Sequence, residues 1–461
     1  MARRLREPRF QIADHSLVLT TSGRYARSMV VIIGAGLAGL VCARMLRQPG
    51  REVMILEQDV MPGGRVRTEQ HADGFLLDRG FQVLFSAYPA ARRHLSFSRL
   101  DLKPFTPGAI IARDGKLYPV ADPLRATGLL TRSLTMPLFG LGDKLRTVAL
   151  ARSTRRTATE AIFAEADQPT EQYLRGRGFS PGFIDNFARP FYGGIFLDRA
   201  LDTSSAMFRF TYKMLSMGET VLPAKGMQEI PDQLARALPT GAIHYGLTVE
   251  GITYERGLAV GVQTQDGQQI PAQTVVIATD PATAARLLEN PGIPHQPVSC
   301  RCVYFASPTS FYDDQLIVLN ANPQAYVNHL AQIDNIAPAY APARQHLLAL
   351  TVLGAGDEGD EQIEQRCRDE LALLFPGKPL DGLRLLRIFH IPFAQFAQPP
   401  GIYRSLPTTT TATANIFLAS EVTHSSSIQG AMESGEHAAR LILEGPPATA
   451  PAANRQPAGA S

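Results

Sequence analysis

Glycines at positions 34, 36 and 39, a carboxylate at 57, and Gly63-Gly64-Arg65 are residues whose types and spacing could do chemistry. Together they could hold a dinucleotide through its pyrophosphate. In Gly34-Ala35-Gly36-Leu37-Ala38-Gly39 the first glycine permits a tight turn and the second lets a pyrophosphate approach the backbone. The third lets a helix pack closely on the preceding strand, so that the helix N-terminus faces the anion. Glu57 lies about 20 residues further on, where a carboxylate accepts hydrogen bonds from ribose hydroxyls and repels a 2′-phosphate. NADP is therefore disfavoured. Gly63 and Gly64 allow close backbone approach, and the planar fork of Arg65 can pair with phosphate oxygens.

Such residues need a strand, a turn, a helix and a second strand to place them. Met29 to Ile33 is an apolar run that enters the glycine motif directly, and Leu40, Ala43 and Leu46 follow at helical spacing. Glu52 to Leu56 reads as the second strand, ending at Glu57. A second G-x-G-x-x-G, Gly354 to Gly359, sits between strand-like HLLALTVL and helix-like DEQIEQRCRDELALLF. There Asp357, Glu358, Asp360 and Glu361 would repel a pyrophosphate, so this copy reads as a turn into a surface helix and one dinucleotide site is expected.

At 461 residues, two domains are expected. The net charge of +3 argues against a nucleic-acid partner. Cys42, Cys300, Cys302 and Cys367 are too scattered for a disulfide framework or a zinc site and read as reduced, structural thiols. No apolar run reaches the roughly 18 residues that span a bilayer. Residues 1–28 are arginine-rich without a signal-type apolar stretch, and read as a disordered basic arm or a false start ahead of Met29 in preference to a transit segment. Residues 445–461 are rich in Pro and Ala and read as a disordered tail. Leu124 to Arg156 mixes Leu, Phe and Met with seven basic residues and Asp143 as its one acid. It reads as helices packing a domain, or as a basic amphipathic stretch lying on a membrane surface. A cytoplasmic location is expected, with membrane association through 124–156 as the alternative.

The pattern GAGLAGL…E…GGRVRT resembles the N-terminal signature of the flavin-dependent amine oxidase superfamily, which includes protoporphyrinogen oxidases and phytoene-type carotenoid desaturases. Two later segments resemble the same family: Thr248 to Pro281, where such chains return to the FAD domain, and Asn415 to Ile442, their C-terminal flavin motif. The resemblance implies FAD as cofactor, held by Gly34, Gly36, Leu37, Ala38, Gly39, Glu57, Gly63, Gly64, Arg65, Val249, Glu421 and Ile428. Ser420-Glu421 stands where many relatives have Gly-Asp, and Lys225 replaces the first glycine of the family's Gly-Gly-Met segment. The helix beginning at Ile428 would place its positive N-terminus at the flavin's pyrimidine end, favouring the anionic reduced form. A Pro-Phe-x-x-Gly turn near the flavin in relatives implies Arg189-Pro190-Phe191-Tyr192-Gly193-Gly194 as substrate-cavity wall, with Phe191, Tyr192 and Gly193 foremost. The segment Gly178 to Leu215 around them is dense in Phe and Tyr, most of which read as core.

The implied fold class is α/β: a discontinuous Rossmann-type FAD-binding domain from 29–88, 216–292 and 405–444, with an α+β substrate domain from 89–215 and 293–404. The implied function is removal of a hydride from a small apolar substrate to flavin N5, with oxygen, a quinone or another acceptor completing the cycle. Carotenoid or isoprenoid desaturation leads. Porphyrinogen oxidation, amine oxidation, and a flavin-bound isomerase or non-catalytic FAD protein stay open. His390, Tyr403 and His424 read as structural, and no catalytic base is assigned.

Overall fold

The computed structural model describes residues 29–121, 137–354 and 356–445. The N-terminal arm, the greater part of the tail and the first part of the 124–156 stretch lie outside the described residues.

Met29–Ile33 forms the middle of a five-stranded parallel sheet whose spatial order is 243–245, 52–57, 29–33, 274–277 and 416–418. Val31 lies opposite Met54 on one side and Val275 on the other. Both faces of the central strands are covered, which is why MVVII and TVVI read as continuous apolar runs without alternation. Side chains still alternate in what they meet. Val30 and Ile32 join the helical core with Leu40 and Ala43, whereas Val31 and Ile33 pack with Val262 and Ile270 of a small antiparallel sheet, 249–255, 258–264 and 269–271.

The helix Ile428–Glu444 lies against the helix Leu37–Leu46, and Gly435 makes that approach possible, because a Cβ there would overlap the Ala38 carbonyl. Thr220–Pro223 joins neither large sheet; it pairs with Leu84–Phe85 and Leu102–Pro104.

The second large sheet has seven strands in the order 384–396, 297–307, 346–353, 327–332, 317–320, 108–113 and 116–121. All its neighbours are antiparallel except 317–320 with 108–113. Period-two alternation divides its residues: Val303 and Phe305 pack with Ile363 and Leu371 of the helix Asp360–Leu374, while Cys302 and Tyr304 face the main core. This is the expected α/β fold with a Rossmann-type sheet and a second α+β unit. All four cysteines are free and buried, and burial pushes the Cys42, Cys300 and Cys367 thiols up to about 12, so they stay protonated and inert.

Candidate active site

The strand Met29–Ile33 ends in Gly34, whose φ of +105° is open to glycine. A Cβ there would lie 2.7 Å from Ala278 O, and one on Gly39 would overlap Gly34 O. Gly36 caps the helix Leu37–Leu46 with no side chain on its amides and no acid in the first turn, leaving free N–H groups at its N-terminus. The contrast with the second glycine motif is direct. There the helix opens with Asp360 and Glu361, and the loop is filled from within by Arg301, which meets Gly356 O and pairs with Glu358 at 3.1 Å.

Glu57 is buried at the end of its strand and accepts from the amide of Ala35 (2.6 Å) and of Asp59 (2.9 Å). These donors fix the carboxylate at the rim of one large cavity. Gly63 N donates to Ala35 O at 2.9 Å, so the Gly63-Gly64 loop docks on the first motif, and Gly64, at φ +59°, lies against Gly36 at ordinary contact distance, 3.7 Å from a Cβ to the Gly36 Cα. Arg65 reaches the buried Glu421 at 2.8 Å, too bent for a full hydrogen bond and therefore a charge contact, and donates to Ala394 O at 3.0 Å. The sequence reading gave each of these residues to the cofactor separately; the fold pairs them across 356 positions.

The cavity measures about 1160 Å³. That exceeds the ~300–1,000 Å³ of sites for one small ligand, so a dinucleotide and a second molecule can share it. Gly34, Gly36, Leu37, Ala38, Glu57, Gly63, Gly64, Arg65, Val249, Glu421 and Ile428 all border it. Gly39 does not; it sits behind the turn and closes helix against strand. The N-terminus of the helix Ile428–Glu444, capped by Ser427 Oγ accepting from Gly430 N, also reaches the cavity.

The far end is aromatic. A π-helical turn, Ile184–Ala188, feeds the helix Arg189–Phe196, and Phe183, Phe187 and Phe191 follow one another along the wall, the first pair tilted by 40° at 5.4 Å between rings and the second stacked at 5.2 Å. Such turns are frequent at functional sites, and nothing in the sequence pattern announced this one. Of the 189–194 segment, Phe191, Tyr192 and Gly194 border the cavity, whereas Gly193 turns away. A Cβ on Gly193 would lie 3.0 Å from the Arg199 Cα. Helical rotation of about 100° per residue separates the two glycines. His390 pairs with Asp360 at 2.7 Å in an exposed position, and Tyr403 donates to Gln398 at 2.8 Å. Burial and the neighbouring His437 push His424 down to about 4, leaving it a neutral ring.

A family profile described as flavin containing amine oxidoreductase matches residues 37–443. Phytoene dehydrogenase of Streptomyces griseus is 28% identical over 302 residues, which are 59% of this chain and 58% of that protein. Protoporphyrinogen oxidase 2 of Arabidopsis thaliana is 23% identical over 318 residues, 59% of each chain. The chain thus spans about three fifths of the length of these curated relatives. In three dimensions an oxidoreductase from Methanosarcina mazei superposes with a TM-score of 0.69 at 18% identity, over 90% of this chain and 100% of that one.

Proposed function

The chain belongs to the family of flavin containing amine oxidoreductases, whose cofactor is FAD, and from that premise we propose that it is an FAD-dependent oxidoreductase of an apolar organic substrate, with an isoprenoid or carotenoid dehydrogenation as the leading reaction. The observation that carries the reading is the continuity of one cavity, with the glycine cradle and Glu57 at one end and a row of phenylalanines at the other.

The residues fit the cofactor. Gly34, Gly36 and Gly64 leave the backbone bare, the helix N-terminus at Gly36 carries neither acid nor capping side chain, and Glu57 presents a carboxylate already held by two amides. When bound, FAD supplies a two-electron acceptor at N5. Glu57, held by the Ala35 and Asp59 amides, would accept from the ribose hydroxyls, Arg65 is set against Glu421 at the cavity rim, and the aromatic wall would exclude water from the substrate end. Replacing Glu57 with Ala removes a charged acceptor and frees the Ala35 amide. FAD affinity, followed by flavin fluorescence, is expected to fall by about 10- to 100-fold. Unchanged affinity would remove Glu57 from the site.

The hydride reading is tested by anaerobic visible spectroscopy of the holoprotein with phytoene, a porphyrinogen and an amine in turn. Bleaching by phytoene supports the leading reaction, and bleaching by one of the others moves the substrate to that class. An oxidised spectrum throughout would overturn the oxidoreductase reading in favour of an isomerase or a non-catalytic flavoprotein. The second half-reaction is assigned to oxygen, a quinone or another acceptor.

Peripheral membrane contact belongs to the same proposal. On the helix Leu141–Arg156, Leu141 and Leu145 are 66% and 72% exposed, one turn apart, among basic residues. The same helix gives Thr147, Val148 and Ala151 to the cavity. A lipid-borne substrate could thus enter where the protein touches the bilayer. Wild-type protein is expected to float with anionic liposomes and L141E/L145E to stay behind. Equal behaviour of the two would remove the idea. Among the described residues no helix is long and apolar enough to cross a membrane.

A further inference from the structure

The strands Val327–Gln332 and His346–Leu353 are antiparallel neighbours, with His329 opposite Thr351. Directly opposed residues project from the same face with Cβ atoms about 5 Å apart. Both side chains are buried, at 3% and 2% exposure, and both border the large cavity. Neither His329 Nε2 nor Thr351 Oγ1 has a hydrogen-bond partner. Buried polar atoms are paired in the great majority of cases, so two orphans side by side on one cavity wall call for an outside partner.

The proton on His329 can be placed from its neighbours. Arg199 can only donate, and its Nη1 lies 3.2 Å from Asn328 Oδ1, while Nη2 is held by Asn320 O and Asn322 O at 2.8 and 3.0 Å. That fixes the Asn328 amide with its nitrogen toward Pro190 O (2.9 Å) and His329 Nδ1 (3.0 Å). Nδ1 is therefore the acceptor, and Nε2 carries the hydrogen. Burial pushes the imidazole down to about 3, so the ring is neutral. It is also seated firmly. Phe81 meets it edge-on at 5.0 Å, and Gly194 lies so close that a Cβ would be 2.6 Å from Nδ1.

We propose that His329 Nε2–H and Thr351 Oγ1 form a two-point anchor for a neutral oxygen on the substrate, a carbonyl or hydroxyl, so that within the apolar class proposed above an oxygen-bearing isoprenoid is preferred to a hydrocarbon such as phytoene. The imidazole donates to the oxygen, and the threonine hydroxyl donates or accepts as its rotor allows. A hydrocarbon leaves both groups desolvated and unpaired, and a site built to hydrogen-bond an oxygen discriminates strongly against the analogue that lacks it. The inference rests on the reading of this cavity as the substrate site of an oxidoreductase.

The test compares geraniol with myrcene, an alcohol and a hydrocarbon of the same carbon count, as probes of the holoprotein by anaerobic titration calorimetry. Wild type is expected to bind geraniol about ten-fold tighter or more. Thr351→Val, nearly isosteric, and His329→Leu should each lower geraniol affinity and leave myrcene affinity unchanged or better, collapsing the preference. Thr351→Val should also melt higher than wild type without a probe, since it removes an unpaired buried hydroxyl. A merely structural role would weaken both probes alike. Absence of geraniol binding, equal affinities in wild type, or a preference that survives both substitutions would overturn the anchor. Failure of the oxidoreductase reading looks different: the preference is intact while the flavin stays oxidised with every substrate.

Discussion

Gly39→Ala is expected to yield a protein that melts far below wild type and holds no flavin, whereas Gly36→Ala, three residues earlier, folds normally and loses only flavin affinity. The difference lies in what each Cβ would meet. At Gly39 it overlaps the carbonyl of Gly34, a backbone atom that cannot rotate away, so the helix Leu37–Leu46 must lift off the strand Met29–Ile33. Overpacking of this kind costs about 1–3 kcal/mol when side chains can give, and more when backbone must move. That strand is the middle of the parallel sheet, and the helix is packed by Ile428–Glu444 on its far side, so the displacement propagates to both flavin-facing helix ends. At Gly36 the nearest atom to a Cβ is Ala278 O at 4.0 Å, and the residue has an ordinary extended backbone, φ −70° and ψ 176°. The methyl would point into the cavity, where a pyrophosphate needs the space. Melting curves with and without added FAD separate the two. Gly39→Ala should be low in both, and Gly36→Ala should match wild type without FAD but fail to rise on adding it. Equal apo stability of the two variants would refute the assignment of distinct roles.

These glycines were legible because a strand, turn and helix within about ten residues is a local structure, and each glycine answers a local steric need. Glu57 was legible for the same reason, since its distance from the motif is set by one helix and one strand. The parallel sheet was implied by the family resemblance, and two of its strands, 29–33 and 52–57, were legible besides as the runs on either side of the first glycine motif and its helix. What sequence could not give was pairing across the fold. Arg65 meets Glu421, and Arg199 sets Asn328, which sets His329, through strands brought together only by tertiary packing. A weak signal did exist for the last of these. HLLALTVL and VNHLAQ are buried strands, and a threonine or histidine at an inward position in such a run must find a partner or face a cavity. Within the 189–194 segment the two glycines part, because the chain is helical there and a helix turns successive residues to different sides.

Asp78 gives the second large effect, on stability. It is 3% exposed at the end of the strand Leu76–Asp78, which pairs with Thr68–Gln70 and is met by Tyr304 and Tyr340 from the strand Pro297–Ser307 and the turn Pro338–Tyr340. Its Oδ1 accepts from Thr68 Oγ1 at 2.5 Å and Met227 N at 3.1 Å, its Oδ2 from Tyr340 at 2.8 Å, and its carbonyl from Tyr304 at 2.9 Å. Asp78→Ala strands the Met227 amide and the Tyr340 hydroxyl without an acceptor and is expected to cost about 3 kcal/mol or more. Asp78→Asn is predicted to behave differently. The amide oxygen keeps Thr68 and Met227, and the amide nitrogen donates to a rotated Tyr340 hydroxyl. Burial pushes the Asp78 carboxyl from its ordinary 3.8 up to about 6, against the three hydrogen bonds that pull it down. A raised carboxyl favours the folded state only while protonated. Its contribution, about 3 kcal/mol for a shift of roughly two units, is whole below pH 4, lost as pH rises to 6, and absent above. The Asn variant carries no such loss, so its melting point relative to wild type should climb between pH 4 and pH 7 and then level off. A difference that stays constant over that range would mean that Asp78 does not titrate there, and that Thr68, the Met227 amide and Tyr340 hold it ionised throughout.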